Sequence, residues 1–70
     1  MIWARRAKRK LEALHAAARL EDLRVPTTNR LEKLRGDLAD YYSIRINDQW
    51  RILFKWIQGN AHEVSIRDYH

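Results

Sequence analysis

The sequence predicts an α+β domain in which an N-terminal helix and a short second helix pack on a small antiparallel β-meander. Three observations carry that prediction. Residues 2–18, IWARRAKRKLEALHAAA, contain no Gly or Pro and repeat their apolar residues at helical spacing. Residues 41–56, YYSIRINDQWRILFKW, alternate in character on both sides of a short polar break, as two paired strands do. Beyond the turn Gln58-Gly59-Asn60, residues 62–67 alternate again. The 70 residues are read as one domain, 1–70. A chain this short buries only about 60% of the surface its unfolded form exposes, so its core is thin. With no cysteine, disulfides cannot supplement that core.

In the helix, Trp3, Ala7, Leu11 and Leu14 form one apolar stripe that Ala18 extends. Arg5, Arg6, Lys8 and Arg9 lie largely off the stripe and read as a solvated face. A membrane-surface role for this helix is disfavoured, because the sheet needs an apolar cover and no other long helix is available. RLEDLR, residues 19–24, predicts a short helix or turn with Leu20 and Leu23 inward. Val25-Pro26 ends it, since a residue before proline is pushed out of the α region. Thr27, Thr28 and Asn29 read as a polar loop. Leu31 and Leu34 anchor a segment with the length of a first short strand, and Gly36-Asp37 supplies a turn. Residues 38–40 receive no assignment. In the last strand Val64 and Ile66 are expected inward, with Glu63, Ser65 and Arg67 outward.

The register of the central hairpin follows from its two faces. Tyr42, Ile44 and Ile46 share one face with Trp50, Ile52, Phe54 and Trp56. Setting Ile46 opposite Trp50 leaves Asn47, Asp48 and Gln49 as the loop and pairs Ile44 with Ile52 and Tyr42 with Phe54. A two-residue loop would mix apolar and charged faces. The preferred register places Arg45 directly opposite Arg51, and like charges so placed repel. Two guanidinium groups facing each other on a rigid sheet suggest that something anionic belongs between them.

Fourteen Lys and Arg against nine Asp and Glu give a formal charge of +5, with six of the basic residues in positions 1–19. Such a balance points to nucleic acid, an anionic membrane or an acidic partner. No apolar run approaches the ~20 residues that span a bilayer, and the basic N-terminus lacks the apolar segment of a signal peptide. A cytoplasmic protein is expected. His15, His62 and His70 are too scattered for a metal site, two separated glycines cannot make a phosphate loop, and no cofactor is expected. What remains is a polar set. Arg45 and Arg51 share a face, and Arg67 joins it if Ile52 meets Ile66. Arg35 precedes the sheet, while Tyr69 and His70 close the chain. Arginines can hold a phosphodiester and stabilise its pentacoordinate transition state, and a phenol or imidazole can move protons. The same residues also read as a solvated sheet face with a frayed end.

The run NRLEKLRGDLADYYSIRINDQWRILFKW, the terminal DYH and the preceding HAAARLEDLRVP resemble the HigB-type toxins of the RelE/ParE superfamily of bacterial toxin–antitoxin systems. The resemblance covers roughly residues 8–70. It implies a RelE/ParE-like fold and a ribosome-dependent endoribonuclease that cuts mRNA by attack of a ribose 2′-hydroxyl on the adjacent phosphate. It also implies a cognate HigA-like helix-turn-helix antitoxin, with which the toxin forms a hetero-oligomer. Carried over by position, Arg51 and Arg45 become phosphate and transition-state binders, Arg35 a basic residue before the turn glycine, and Tyr69 and His70 proton-transfer or base-stacking groups. Arg67, Lys55, Arg30 and Lys33 are expected to add RNA contacts.

The chain departs from the family's pattern in two ways. Glu32 stands where some relatives carry a histidine. Family members also usually begin with a strand and a first helix ahead of the matching segment, so this chain is expected to lack both, through truncation, a misplaced start or natural brevity. A bare sheet edge should follow, suited to strand addition by a partner or a second copy. Two other functions stay in view: a toxin-derived module that binds antitoxin, ribosome or RNA without cutting, and a ParE-like poison of DNA gyrase.

Overall fold

The computed structural model describes residues 2–68, with side chains from Ala4 onward. The side chain of Trp3 and the terminal Tyr69 and His70 therefore lie outside the described residues. Helix α1 runs Ile2–Ala16. Ala7 and Leu14 are buried on its inner face and Leu11 is half-buried. The helix stops two residues short of the expected end at Ala18, which is exposed. The Asp22 carboxylate accepts the N–H groups of Ala18 and Arg19 at 3.0 and 3.1 Å. Those two donors would otherwise bond carbonyls four residues back, so the side chain captures what another helical turn needs.

Two 3₁₀ turns follow, Leu20–Arg24 and Thr27–Asn29, on either side of Pro26. Leu23 is buried as expected and Leu20 is half-buried. Asn29, read from sequence as part of a polar loop, is only 2% exposed. Its Nδ2 donates to the Leu23 carbonyl at 3.1 Å, and its Oδ1 accepts from Lys10 Nζ of α1. The loop is thereby tied to the helix through a satisfied buried amide.

The sheet has four antiparallel strands in chain order: β1 Glu32–Lys33, β2 Tyr42–Arg45, β3 Trp50–Ile57 and β4 Asn60–Asp68. The α+β arrangement predicted from sequence is the one observed. The hairpin register also matches, pairing Tyr42 with Phe54, Ile44 with Ile52 and Arg45 with Arg51. The three-residue loop is closed by Ile46 N–H on the Trp50 carbonyl at 2.9 Å. Asn47 Oδ1 caps it by accepting the N–H groups of Gln49 and Trp50, each at 2.9 Å. Beneath α1, Ile44, Ile52 and Phe54 are fully buried. The Phe54 ring lies 6.0 Å from that of Tyr42, stacked, and 6.4 Å from that of Trp56, edge-on.

Three features differ from the sequence reading. Leu53, placed on the outer face, is buried, with Leu34 and Leu38 of the β1–β2 connection lining the hollow beside it. That connection is therefore a partial lid on the second face. Strand β4 is longer than residues 62–67, and Gln58 and Gly59 make a two-residue turn with φ of 52° and 79°. Within β4, Glu63 and Val64 together stand opposite Phe54, a bulge that places Glu63 at φ 50°. Ile66, expected inward, pairs with Ile52 yet is 38% exposed, because β4 is an edge strand among the described residues. No helix among the described residues is long and apolar enough to cross a membrane.

Candidate active site

The hairpin register puts Arg45 opposite Arg51, and the β3–β4 register puts Arg51 opposite Arg67. Three arginines thus cross β2, β3 and β4 in one row, out of phase with the buried Ile44 and Ile52. They are not equivalent. Arg51 is 6% exposed, and its guanidinium is built into the fold. Its Nε donates to Ser43 Oγ at 3.0 Å, its Nη2 donates to the Arg30 carbonyl at 2.7 Å, and its Nη1 lies 3.8 Å from Glu32 Oε1. Arg30 caps the preceding 3₁₀ turn at φ 47° and ψ 58°, a left-handed conformation unusual for a residue with a Cβ. Its carbonyl accepts the shorter of those two Arg51 bonds, which ties the unusual backbone to the buried cation.

Arg45 is different, since its side chain retains 29% exposure and pairs with the almost fully exposed carboxylate of Asp48 three residues on. Arg30, Arg45 and Arg51 line one hollow of about 310 Å³ at the hairpin, together with Glu32, Asn47 and Asp48. Three guanidiniums against two carboxylates leave a formal charge of +1. The facing arginines suggested from sequence that an anion should sit between them. The chain supplies part of that anion itself, through Glu32 and Asp48. Both carboxylates are about half or more exposed, so water screens them and a phosphate can compete for the same cations.

The other expected site residues fall elsewhere. Arg35 and Arg67 line a neighbouring hollow of about 300 Å³ with Leu34, Leu38, Leu53 and Asp68. Lys55 Nζ bonds Glu63 at 2.8 Å and lies 5.2 Å from the Tyr41 ring centre. That bond holds the Lys55 ammonium above its ordinary range and the Glu63 carboxyl below its own. Lys33 pairs in register with Tyr42 and lies 6.0 Å over its ring, so strand alternation puts it on the face opposite Glu32 and Ser43. Tyr69 and His70 are outside the described residues. Asp68 just before them pairs with Trp50 and accepts from Gln49 Nε2 at 3.2 Å, so β4 ends beside the β2–β3 turn. Sequence reasoning missed Ser43, Asn47 and Asp48, and saw Glu32 only as a lost histidine. The available signals were Ser43's shared face with Arg45 and the spacing of Arg45 and Asp48 across a tight loop.

Comparison with known proteins identifies the family. Residues 3–70 match the family model of HigB-like toxins, described as the RelE-like toxin of type II toxin–antitoxin system HigB. Toxin HigB-1 of Vibrio cholerae is 51% identical over 53 residues, which are 76% of this chain and 56% of that protein. Endoribonuclease HigB of Proteus vulgaris is 34% identical over 61 residues, 87% of this chain and 65% of that protein. An uncharacterised Haemophilus influenzae protein is 42% identical over 58 residues, 83% of this chain and 57% of its own. The aligned region is therefore less than two thirds of each relative's length. The match along nearly all of this chain establishes that the chain belongs to the HigB-like, RelE-like toxins of type II toxin–antitoxin systems.

Proposed function

We propose that this chain acts as an endoribonuclease toxin whose substrate phosphate enters the hollow between Arg45 and Arg30, over a floor fixed by Arg51. The observation that carries this reading is the convergence of those three arginines on one hollow. In the reaction the ribose 2′-hydroxyl gives up its proton and its oxygen bonds to the adjacent phosphorus. The bond to the 5′-oxygen breaks, and that oxygen takes a proton. The products are a 2′,3′-cyclic phosphate and a 5′-hydroxyl. Negative charge grows on the phosphoryl oxygens at the pentacoordinate stage, where fixed cations stabilise the transition state more than the ground state. Tyr69 and His70, next in sequence after Asp68, are the proposed proton-transfer or base-stacking groups. Arg35 and Arg67 would extend the contact to flanking nucleotides. The substrate is mRNA on the ribosome, the compartment is the cytoplasm, and a HigA-like helix-turn-helix antitoxin is the proposed neutralising partner.

Arg45 is the residue with which to test this, because it lines the hollow without holding the fold. Arg45→Ala should abolish growth arrest on expression and remove new 5′ ends from primer extension of cellular mRNA, a loss of roughly a hundredfold or more. Its thermal midpoint should stay within a few degrees of the parent. Retained cleavage would place the site elsewhere. A second reading, a module that binds without cutting, is favoured by the carboxylates already paired with Arg45 and Arg51. Under that reading the parent chain itself produces no new 5′ ends.

A further inference from the structure

Arg45 lines a second space as well. A groove of about 450 Å³ runs between α1 and the loop around Pro26, and Arg45 closes one end of it. Arg6, Arg9 and Lys10 line its helical side. These positions are three and four apart and so fall on one helix face. Arg5 and Lys8, which have the same charge, do not line it. The basic run read from sequence as one solvated face is thus divided between groove and open solvent. Lys10 is held by the buried Asn29, whereas among the described residues neither Arg6 nor Arg9 has a carboxylate within ion-pair distance. The opposite wall presents Val25 and Pro26 beside the polar Thr28 and Asn29, and Val25 is 76% exposed.

We propose that this groove is an extension of the RNA site, carrying the single-stranded substrate onward from the Arg45 hollow along α1. Cations on one wall and an exposed apolar surface on the other suit a polynucleotide strand, with phosphates toward Arg6 and Arg9 and a ribose or base face against Val25 and Pro26. An acidic peptide would satisfy the cations too. The shared Arg45 favours RNA, because the groove continues the arginine-lined hollow instead of standing apart from it. The inference rests on the RNA reading above and adds to it a length requirement: affinity should depend on nucleotides beyond those the hollow itself holds.

The test measures binding of the full chain to 2′-O-methyl RNA, which cannot supply the attacking hydroxyl, as a trinucleotide and as a dodecamer. Arg6→Gln/Arg9→Gln should weaken dodecamer binding about tenfold near 0.15 M salt and lower the salt slope of log K by about 1.4, from ~0.7 per phosphate contact on a single strand. Trinucleotide binding should be unchanged. Arg5→Gln/Lys8→Gln makes the same change in net charge on the same helix and should have much the smaller effect. Equal losses from the two pairs would overturn the groove and leave only general attraction. A poly-aspartate peptide of equal charge that binds as tightly as the dodecamer, and loses as much in Arg6→Gln/Arg9→Gln, would make the groove a protein-docking surface and also overturn the proposal. If Arg45→Ala leaves trinucleotide binding intact, the reading of the hollow fails instead. The dodecamer comparison between the two double variants still decides the groove.

Discussion

Replacing Arg51 with alanine should damage the fold before it informs on chemistry. The guanidinium donates to Ser43 Oγ at 3.0 Å and to the Arg30 carbonyl at 2.7 Å, and Ser43 is fully buried, so water cannot take its place there. A hydrogen bond to a charged group is worth about 1.5–3 kcal/mol, and a stranded buried acceptor adds to the loss. Because such terms overlap, a total of about 3 kcal/mol is reasonable for the pair. A domain of this size has roughly 3.5–10 kcal/mol in all. The thermal midpoint should therefore fall by about 12–24 °C, and the urea midpoint by about 3 M at an m-value near 1 kcal/mol/M. Parallel tryptophan-fluorescence and far-UV circular dichroism melts measure this. A double-mutant cycle with Ser43→Ala should return a coupling of about 1 kcal/mol. A midpoint shift under about 4 °C, or no coupling, would refute the claim that this arginine serves as a core residue of the second face. Loss of toxicity in Arg51→Ala would then report on chemistry alone, whereas a core role makes part of that loss a loss of fold.

Three further outcomes follow from the same structure. Phe54→Ala should cost about 3–5 kcal/mol and leave the chain largely unfolded by circular dichroism, while Phe54→Leu should cost about 1 kcal/mol and keep a cooperative melt. Asn29→Ala strands the Leu23 carbonyl and the Lys10 ammonium, and should lower stability by about 2 kcal/mol in urea titration. The Lys55–Glu63 bond depresses the Glu63 carboxyl below its usual 4.5 and raises Lys55 above 10.5. Its contribution is full between those ordinary values, fades as pH falls through the lowered Glu63 pKa, and fades again as pH rises through the raised Lys55 pKa. Glu63 is exposed and Lys55 only half-buried, so water screens the pair and the effect is small. Glu63→Gln should flatten the part of the acid limb below about pH 4.5 that this pair causes, as read by thermal midpoint against pH.

The elements most legible in the sequence were those in which one face is buried and the other is not. The hairpin register followed from alternation alone, because slipping by one residue would have put Ile44 and Ile52 into water. The helix was equally plain, but its end was not: Asp22, six residues past Ala16, captures two N–H groups, and nothing in the helix sequence announces that. Leu53 and Leu38 were missed for a related reason. The second face was assumed to meet solvent, so a buried leucine there had no cover to pair with until the β1–β2 connection was seen to fold over it. Asn29 was read as a loop residue because polarity predicts exposure on average. Its burial depends on Lys10, nineteen residues away, a relation local pattern cannot reveal. Of the candidate site, the facing of Arg45, Arg51 and Arg67 was readable from register. Their division between two hollows was not, because it depends on where Arg30, Glu32 and Leu38 fold back.

That division decides how the arginines can work. A thin domain with a helix on only one side of its sheet must still close the other side. Here Arg51 helps do so, its charge answered by a serine, a carbonyl and Glu32. A cation held that way is preorganised and contributes a fixed field, but it cannot follow a substrate. Arg45, half-buried, and Arg30, exposed, border the same hollow, and Arg45 also meets the groove beside α1. Under the proposed function, adaptable grip would therefore fall to Arg45 and Arg30, and fixed stabilisation to Arg51. On this argument, substitutions at Arg45 should change how tightly RNA binds and in which frame, with the fold intact, while substitutions at Arg51 change whether there is a hollow to bind it.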